Sequence, residues 1–274
     1  MDDLTGGARG GALTTTPHPV RGQRPPVGLA VQLAIAVVTL SLLIRFGAFD
    51  PAVVARFGNL PAFVAGMLPP DPRPLPTLVM SMIETVMIAF AGTSIAVALS
   101  VPLALLSTRS LFGDAVTVPL RFVLSVIRTV PSIIWALIFV VTVGFGPLAG
   151  VLGTAMYSTG YLSKLLYEAF DAVDREVLEA IRVMRVGKLA EMRYVVLPEA
   201  ANYVLSQSLF MFEYNVRASA ILGLVGAGGI GFYILAYVQV LDYRSLSTAL
   251  IVLLAFVLAV DFVSSRVRKR FLPD

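Results

Sequence analysis

Residues 171–198 carry ten charged side chains: Asp171, Asp174, Arg175, Glu176, Glu179, Arg182, Arg185, Lys188, Glu191 and Arg193. The chain around them is otherwise apolar. Of 274 residues, 57% are hydrophobic and only 14% charged, against roughly 25% charged in a soluble domain. Charges in hydrocarbon each cost several kcal/mol, so no bilayer holds such a segment. The chain must therefore alternate: apolar helices that cross a membrane, and one polar helical pair that stands outside it. The expected class is an all-α integral membrane protein.

Six spans follow from the apolar runs, at about 27–44, 78–106, 119–143, 148–170, 199–222 and 245–263. The first is 18 residues without a charge, about 27 Å of helix and long enough to cross. Ahead of it, 1–26 is rich in Gly, Thr and Pro, holds the single histidine His18, and is expected to be a disordered cytoplasmic tail. Residues 45–76 form an outer loop with many prolines, in which 52–68 is expected to make one interfacial helix. The core runs over 77–265, with the charged loop 171–198 inside it, and 266–274 is a basic C-terminus. Residues 223–243 are apolar but broken by glycines, and predict a short or re-entrant helix. Lys and Arg set the orientation: fifteen fall in segments that face one side with both termini, four in segments that face the other. By the positive-inside rule the termini and the charged loop are cytoplasmic, in a multi-pass cell-membrane protein.

The chemistry the chain can carry is narrow. It has no cysteine, so no disulfide or thiol nucleophile. No phosphate-binding loop, metal-ligand cluster or nucleophile–base set is present, and nothing points to nucleic acid. Within the spans, ionisable residues default to a functional hypothesis; they are Glu84, Arg128, Glu213, Arg217 and Asp261. Glu213 and Arg217 lie four apart on one helix face, and the spacing predicts that they pair. Asp261 reads as a span-end residue. The run 226–231 formally matches a dinucleotide fingerprint, but no strand precedes it. Its glycines Gly226, Gly228, Gly229 and Gly231 suit a sharp turn or close helix packing near an outer gate. In the charged loop, Val177, Ile181, Met184, Leu189, Met192 and Val196 predict one apolar face for a docking partner. Pro198 marks the start of the fifth span.

The loop's residues resemble the coupling loop of ABC-importer permeases. That pattern opens Glu-Ala-Ala, reaches a Gly after three more residues, and closes on Leu-Pro. Here Glu179-Ala180-Ile181 opens and Leu197-Pro198 closes. Arg185 stands at the Gly position, and Gly187 is expected to supply the turn instead. The run Phe212-Glu213-Tyr214-Asn215-Val216-Arg217 with its following glycines, Glu84-Thr85, and Arg128-Thr129-Val130-Pro131 with Trp135 are similar to the phosphonate/phosphate permeases of this group. The resemblance covers about 75–274. It implies a six-span type I importer bundle, a second copy of the chain, two ATP-binding subunits that hold the ATP and Mg, an extracytoplasmic binding protein, and surrounding lipid. This chain itself would hold no cofactor. It also implies that Arg217, Glu213, Asn215, Arg128 and Glu84 line the substrate path.

A second class, an ion-coupled secondary transporter, would use Glu84, Glu213 and Asp261 as proton sites. It would lack the inverted pair of broken helices such transporters use, and it leaves the charged loop without a role.

Overall fold

The computed structural model of the chain describes residues 26–184 and 186–271. The tail 1–25, Arg185 and 272–274 lie outside the described residues. All regular structure among those described is helical. The chain divides into two units at Pro61.

The first unit holds α1 (Pro26–Arg45) and α2 (Pro51–Phe57). α2 opens cleanly: Asp50 accepts a hydrogen bond from Ala52 N at 2.8 Å, and Pro51 occupies the first turn, where a missing N–H costs nothing. The single helix expected over 52–68 is instead two, α2 and α3 (Leu60–Gly66). Gly58 and Asn59 interrupt it, and Pro61 suits the first turn of a new helix.

The second unit is built around α7 (Pro147–Asp171). It packs against α4 (Leu75–Leu106), α5 (Asp114–Thr129), α6 (Ser132–Val143) and α10 (Leu197–Leu222). Small residues on α7 allow this. A Cβ on Gly153 would sit 2.7 Å from the Ala136 backbone of α6, and one on Gly160 would sit 2.8 Å from Arg128 N of α5. Dispersion between close backbones holds such helices together where lipid removes the hydrophobic drive. α12 (Tyr243–Phe271) covers α10 and α11 (Ile230–Gln239). The side chains that α4, α5, α6 and α12 turn outward are large and apolar, among them Phe90, Phe122, Val141 and Leu258. Such a belt suits hydrocarbon and not water.

Three helices are long and apolar enough to cross a membrane alone, and two bent pairs bring the number to five. α7 is not among these five, though at 25 residues, about 37 Å, it has the length of a span. Its Ser, Thr, Tyr and Gly content reflects neighbours that are protein on most sides.

Two expected spans are reshaped. The continuous run over 119–143 is an elbow: α5 starts earlier, at Asp114, and meets α6 at 85°. Val130 is extended (φ −79°, ψ 120°) because a residue before proline is driven out of the α region, and Pro131 has no N–H to continue the ladder. The segment 223–243 continues α10 through one 3₁₀ turn (Gly223–Val225) and a glycine turn into the ten-residue α11, bent by 48°. The basic C-terminus expected as a separate piece is the last turns of α12, where Arg268, Lys269 and Arg270 face the negative end of the helix dipole.

Candidate functional site

On the polar side, the charged loop folds as α8 (Arg175–Val183) and α9 (Lys188–Glu191). Its apolar residues split between two faces. Leu178 is 2% exposed and joins Val173, Ile181, Met192, Val195 and Val196 in a cluster with Leu111, Leu162, Leu166 and Phe170 of the bundle. Val177, Val183, Met184, Leu189 and Tyr194 stay exposed. The one face expected from 177, 181, 184, 189, 192 and 196 is therefore corrected: Ile181, Met192 and Val196 point home, while Val177, Met184 and Leu189 point away. Glu179 and Ala180 are exposed beside the outward set. Gly187 is not a left-handed turn residue; it is the extended N-cap of α9 (φ −75°, ψ 158°).

Leu197 and Pro198 do not start a helix afresh. The helical path runs unbroken from Lys188. Met192–Val196 widens into a π turn, with Leu197 N–H bonded five residues back to Met192 O. Pro198 has no N–H for the carbonyl four residues before it and its ring would strike that carbonyl; the wider turn accommodates both.

A clamp lies where this loop joins the bundle. Asp171, the last residue of α7, accepts hydrogen bonds from Arg109 N and Ser110 N and pairs with Arg121 of α5. The same guanidinium donates to Ser107 O at 2.6 and 2.8 Å and lies over the Tyr167 ring at 4.1 Å. α4, α5 and α7 are tied at one point, directly before α8. Sequence reasoning passed over Arg121, whose only signal was its position near the end of an apolar run.

The charges inside the spans are arranged differently from the spacing argument. Glu213 and Arg217 do not pair. Glu213 accepts from Arg268 at 2.7 Å, and Arg217 pairs with Asp261 at 3.2 Å. Both partners come from α12. Asp261, read from the sequence as a span-end residue, neutralises an arginine of α10.

Glu84 and Thr85 of α4 together cap a helix they do not belong to. Glu84 Oε1 accepts from Gly229 N at 3.3 Å, and Thr85 Oγ1 from Ile230 N at 2.9 Å. These are orphan donors at the start of α11, where a carboxylate also meets the positive end of the helix dipole. The turn feeding them needs left-handed backbone at Gly226, Gly228 and Gly229 (φ 85°, 81° and 76°), which glycine adopts without steric cost. Gly231 serves differently: it lies within α11, and a Cβ there would reach within 2.0 Å of Ala220 O.

Asn215 is 1% exposed. Its amide donates to Thr93 Oγ1 at 2.8 Å and Ser158 Oγ at 2.9 Å, linking α10, α4 and α7. Arg128 ends α5 at the elbow, where Trp135 Nε1 donates to the neighbouring Ile127 O at 3.0 Å. Thus Glu84 and the glycine turn are brought together at one level of α4 and Asn215 meets α4 further on at Thr93, while Glu213 and Arg217 pair with α12 and the Arg128 backbone lies against α7.

On the far side, a strap joins the loop before α4 to the start of α12. Thr248 donates to Asp71 O at 2.7 Å and Arg244 Nε to Pro69 O at 2.8 Å. The Arg73 guanidinium and backbone N–H hold the Asp71 carboxyl below its usual range.

Residues 96–274 match the family described as "Binding-protein-dependent transport system inner membrane component". The chain is 34% identical over 240 residues to the putative phosphite transport system permease protein HtxC of Stutzerimonas stutzeri, covering 86% of this chain and 85% of that one. It is 35% identical over 210 residues to the phosphite transport system permease protein PtxC of the same organism, covering 74% of each. Among solved structures, a permease chain of the inward-facing MetNI methionine ABC transporter superposes with TM-score 0.65 at 22% identity, over 73% of this chain and 99% of that one. That likeness concerns the fold. With the family shown, the secondary-transporter alternative falls away: the chain belongs to the inner membrane components of binding-protein-dependent ABC transport systems.

Proposed function

We propose that this permease carries phosphite-, phosphonate- or phosphate-type oxyanions inward, and that it does so as two copies of itself. Two ATP-binding subunits, which hold the ATP and Mg, sit against the cytoplasmic loop, and an extracytoplasmic binding protein delivers the anion. Both termini face the cytoplasm. The transport systems of the relatives at about one-third identity favour this cargo.

The observation that carries the coupling role is the two-faced loop. Leu178 and Ile181 anchor α8 to the bundle while Val177, Val183, Met184 and Leu189 remain outward. An apolar face exposed on the polar side of a membrane protein is a partner surface. Glu179 and Ala180 lie beside that surface, Gly187 caps α9, and Leu197 and Pro198 close the loop. Closure of the ATP-loaded subunits would move α8, and the Asp171–Arg121 clamp would pass the motion to α4 and α5. The glycine turn at 226–229, held by Glu84, is the proposed outer gate.

The test is uptake into proteoliposomes containing the assembled complex and its binding protein. Radiolabelled phosphite, phosphate and methylphosphonate are offered with and without internal ATP. ATP-dependent entry of at least one is expected, and Glu179→Arg should abolish it at equal assembly. Entry of none by an intact, ATP-hydrolysing complex rules the reading out.

A further inference from the structure

Of the five charges singled out within the spans, four have partners on neighbouring elements. Glu213 has Arg268, Arg217 has Asp261, and Glu84 has the start of α11. Arg128 alone of these five has neither ion pair nor side-chain hydrogen bond, and its Nε is buried without a partner. An unpaired guanidinium among apolar helices is open to an anionic partner.

The stretch of α7 that its backbone meets carries tyrosines. The backbone of Arg128 lies against Gly160 of α7, and Tyr157 and Tyr161 flank that glycine. The Tyr157 ring stacks on Tyr161 at 6.1 Å and on Tyr214 of α10 at 6.0 Å. Directly behind the rings, Ser158 and Asn215 hydrogen-bond to each other. Each is the chain neighbour of a stacked tyrosine, so this buried bond sets the register in which Tyr157 meets Tyr214. Trp135 braces the elbow from which Arg128 projects.

We infer that Arg128 with Tyr157, Tyr161 and Tyr214 forms the site that receives a tetrahedral oxyanion partway across the membrane. This rests on the import reading above. A guanidinium offers a flat set of donors to two oxygens of such an anion, and phenol hydroxyls add donors without opposing charge. Arg217 is less suited, because Asp261 already neutralises it and would repel an incoming anion.

Two measurements decide it. In the reconstituted complex, Arg128→Met should lower uptake of the transported anion by roughly tenfold or more, as loss of a charged hydrogen bond implies. ATP hydrolysis stimulated by the loaded binding protein should persist. Arg128→Lys should fall between, and Tyr157→Phe and Tyr214→Phe should lower the maximal rate several-fold. Wild-type uptake by Arg128→Met overturns the inference while leaving the import reading intact; absence of uptake by the unmutated complex would instead overturn the import reading.

The second measurement keeps Arg128 in place. The natural chain has no cysteine, so Tyr157→Cys can be labelled alone within the full complex. An anionic methanethiosulfonate should react on the order of tenfold faster than a neutral one of equal size, as a local positive field predicts, and inorganic phosphate should slow it. Equal rates for the two reagents with no protection by phosphate overturn the site, whatever Arg128→Met does to assembly.

Discussion

At the scale of single residues, the chain spends its few intramembrane polar groups on holding helices in register. The Glu213 side chain is only 13% exposed in its pair with Arg268. Removing one member of such a pair strands a charge, whereas removing both need not destabilise. Glu213→Gln should therefore lower the thermal stability of the purified complex by about 1–3 kcal/mol. The double change Glu213→Gln, Arg268→Met should recover most of the loss; an equal or larger loss in the double variant would show that the pair is not a unit. Thr85→Val tests the borrowed cap. It leaves Ile230 N–H without its acceptor and should cost about 1 kcal/mol, read as faster hydrogen exchange at the start of α11.

At the scale of elements, α8 has two apolar faces with different duties, and substitution separates them. Leu178 is fully packed under the loop. Leu178→Ala should destabilise by about 2–5 kcal/mol, as buried Leu→Ala changes do, and the purified permease should show it without any partner. Leu189 is 79% exposed. Leu189→Asp should leave permease stability unchanged and weaken association with the ATP-binding subunit, measured by co-purification at matched expression. Reversal of the two phenotypes would mean that the loop docks by its other side. The π turn belongs to this scale too. With Pro198→Ala the N–H returns, so Met192–Val196 is expected to tighten to an α-helix and rotate α9 relative to α10.

At the scale of the whole molecule, the orientation makes a direct prediction. A Cβ at Gly113 or Gly187 meets nothing within 4 Å, and the Arg73 side chain is 87% exposed. Gly113→Cys and Gly187→Cys should resist a membrane-impermeant thiol reagent in intact cells and label after lysis. Arg73→Cys should label from outside. Labelling of Gly187→Cys in intact cells would invert the assignment of the coupling loop to the cytoplasm.

Composition and charge placement determined a great deal here. A helical membrane class, the approximate apolar runs and the existence of one polar docking loop all follow from the free energy of moving side chains between water and hydrocarbon, which is local and additive. The resemblance at Glu179, Leu197-Pro198 and the Phe212-to-Gly231 run pointed to the family that residues 96–274 match. What the tertiary structure decided was pairing. Spacing along one helix put Glu213 with Arg217, but an antiparallel α12 offers both of them closer opposite charges, and no one-dimensional pattern contains that neighbour. The same holds for Glu84, whose acceptor role depends on where α11 begins, and for Arg121, whose carboxylate lies 50 residues away in the chain. The elbow at Val130-Pro131 falls inside what the sequence reads as one span over 119–143; proline chemistry accounts for the break, and its 85° angle is set by the helices packed around it. Arg128 stood among the candidates in the sequence; that it alone of the five is left without a partner could be seen only once the other four had found theirs.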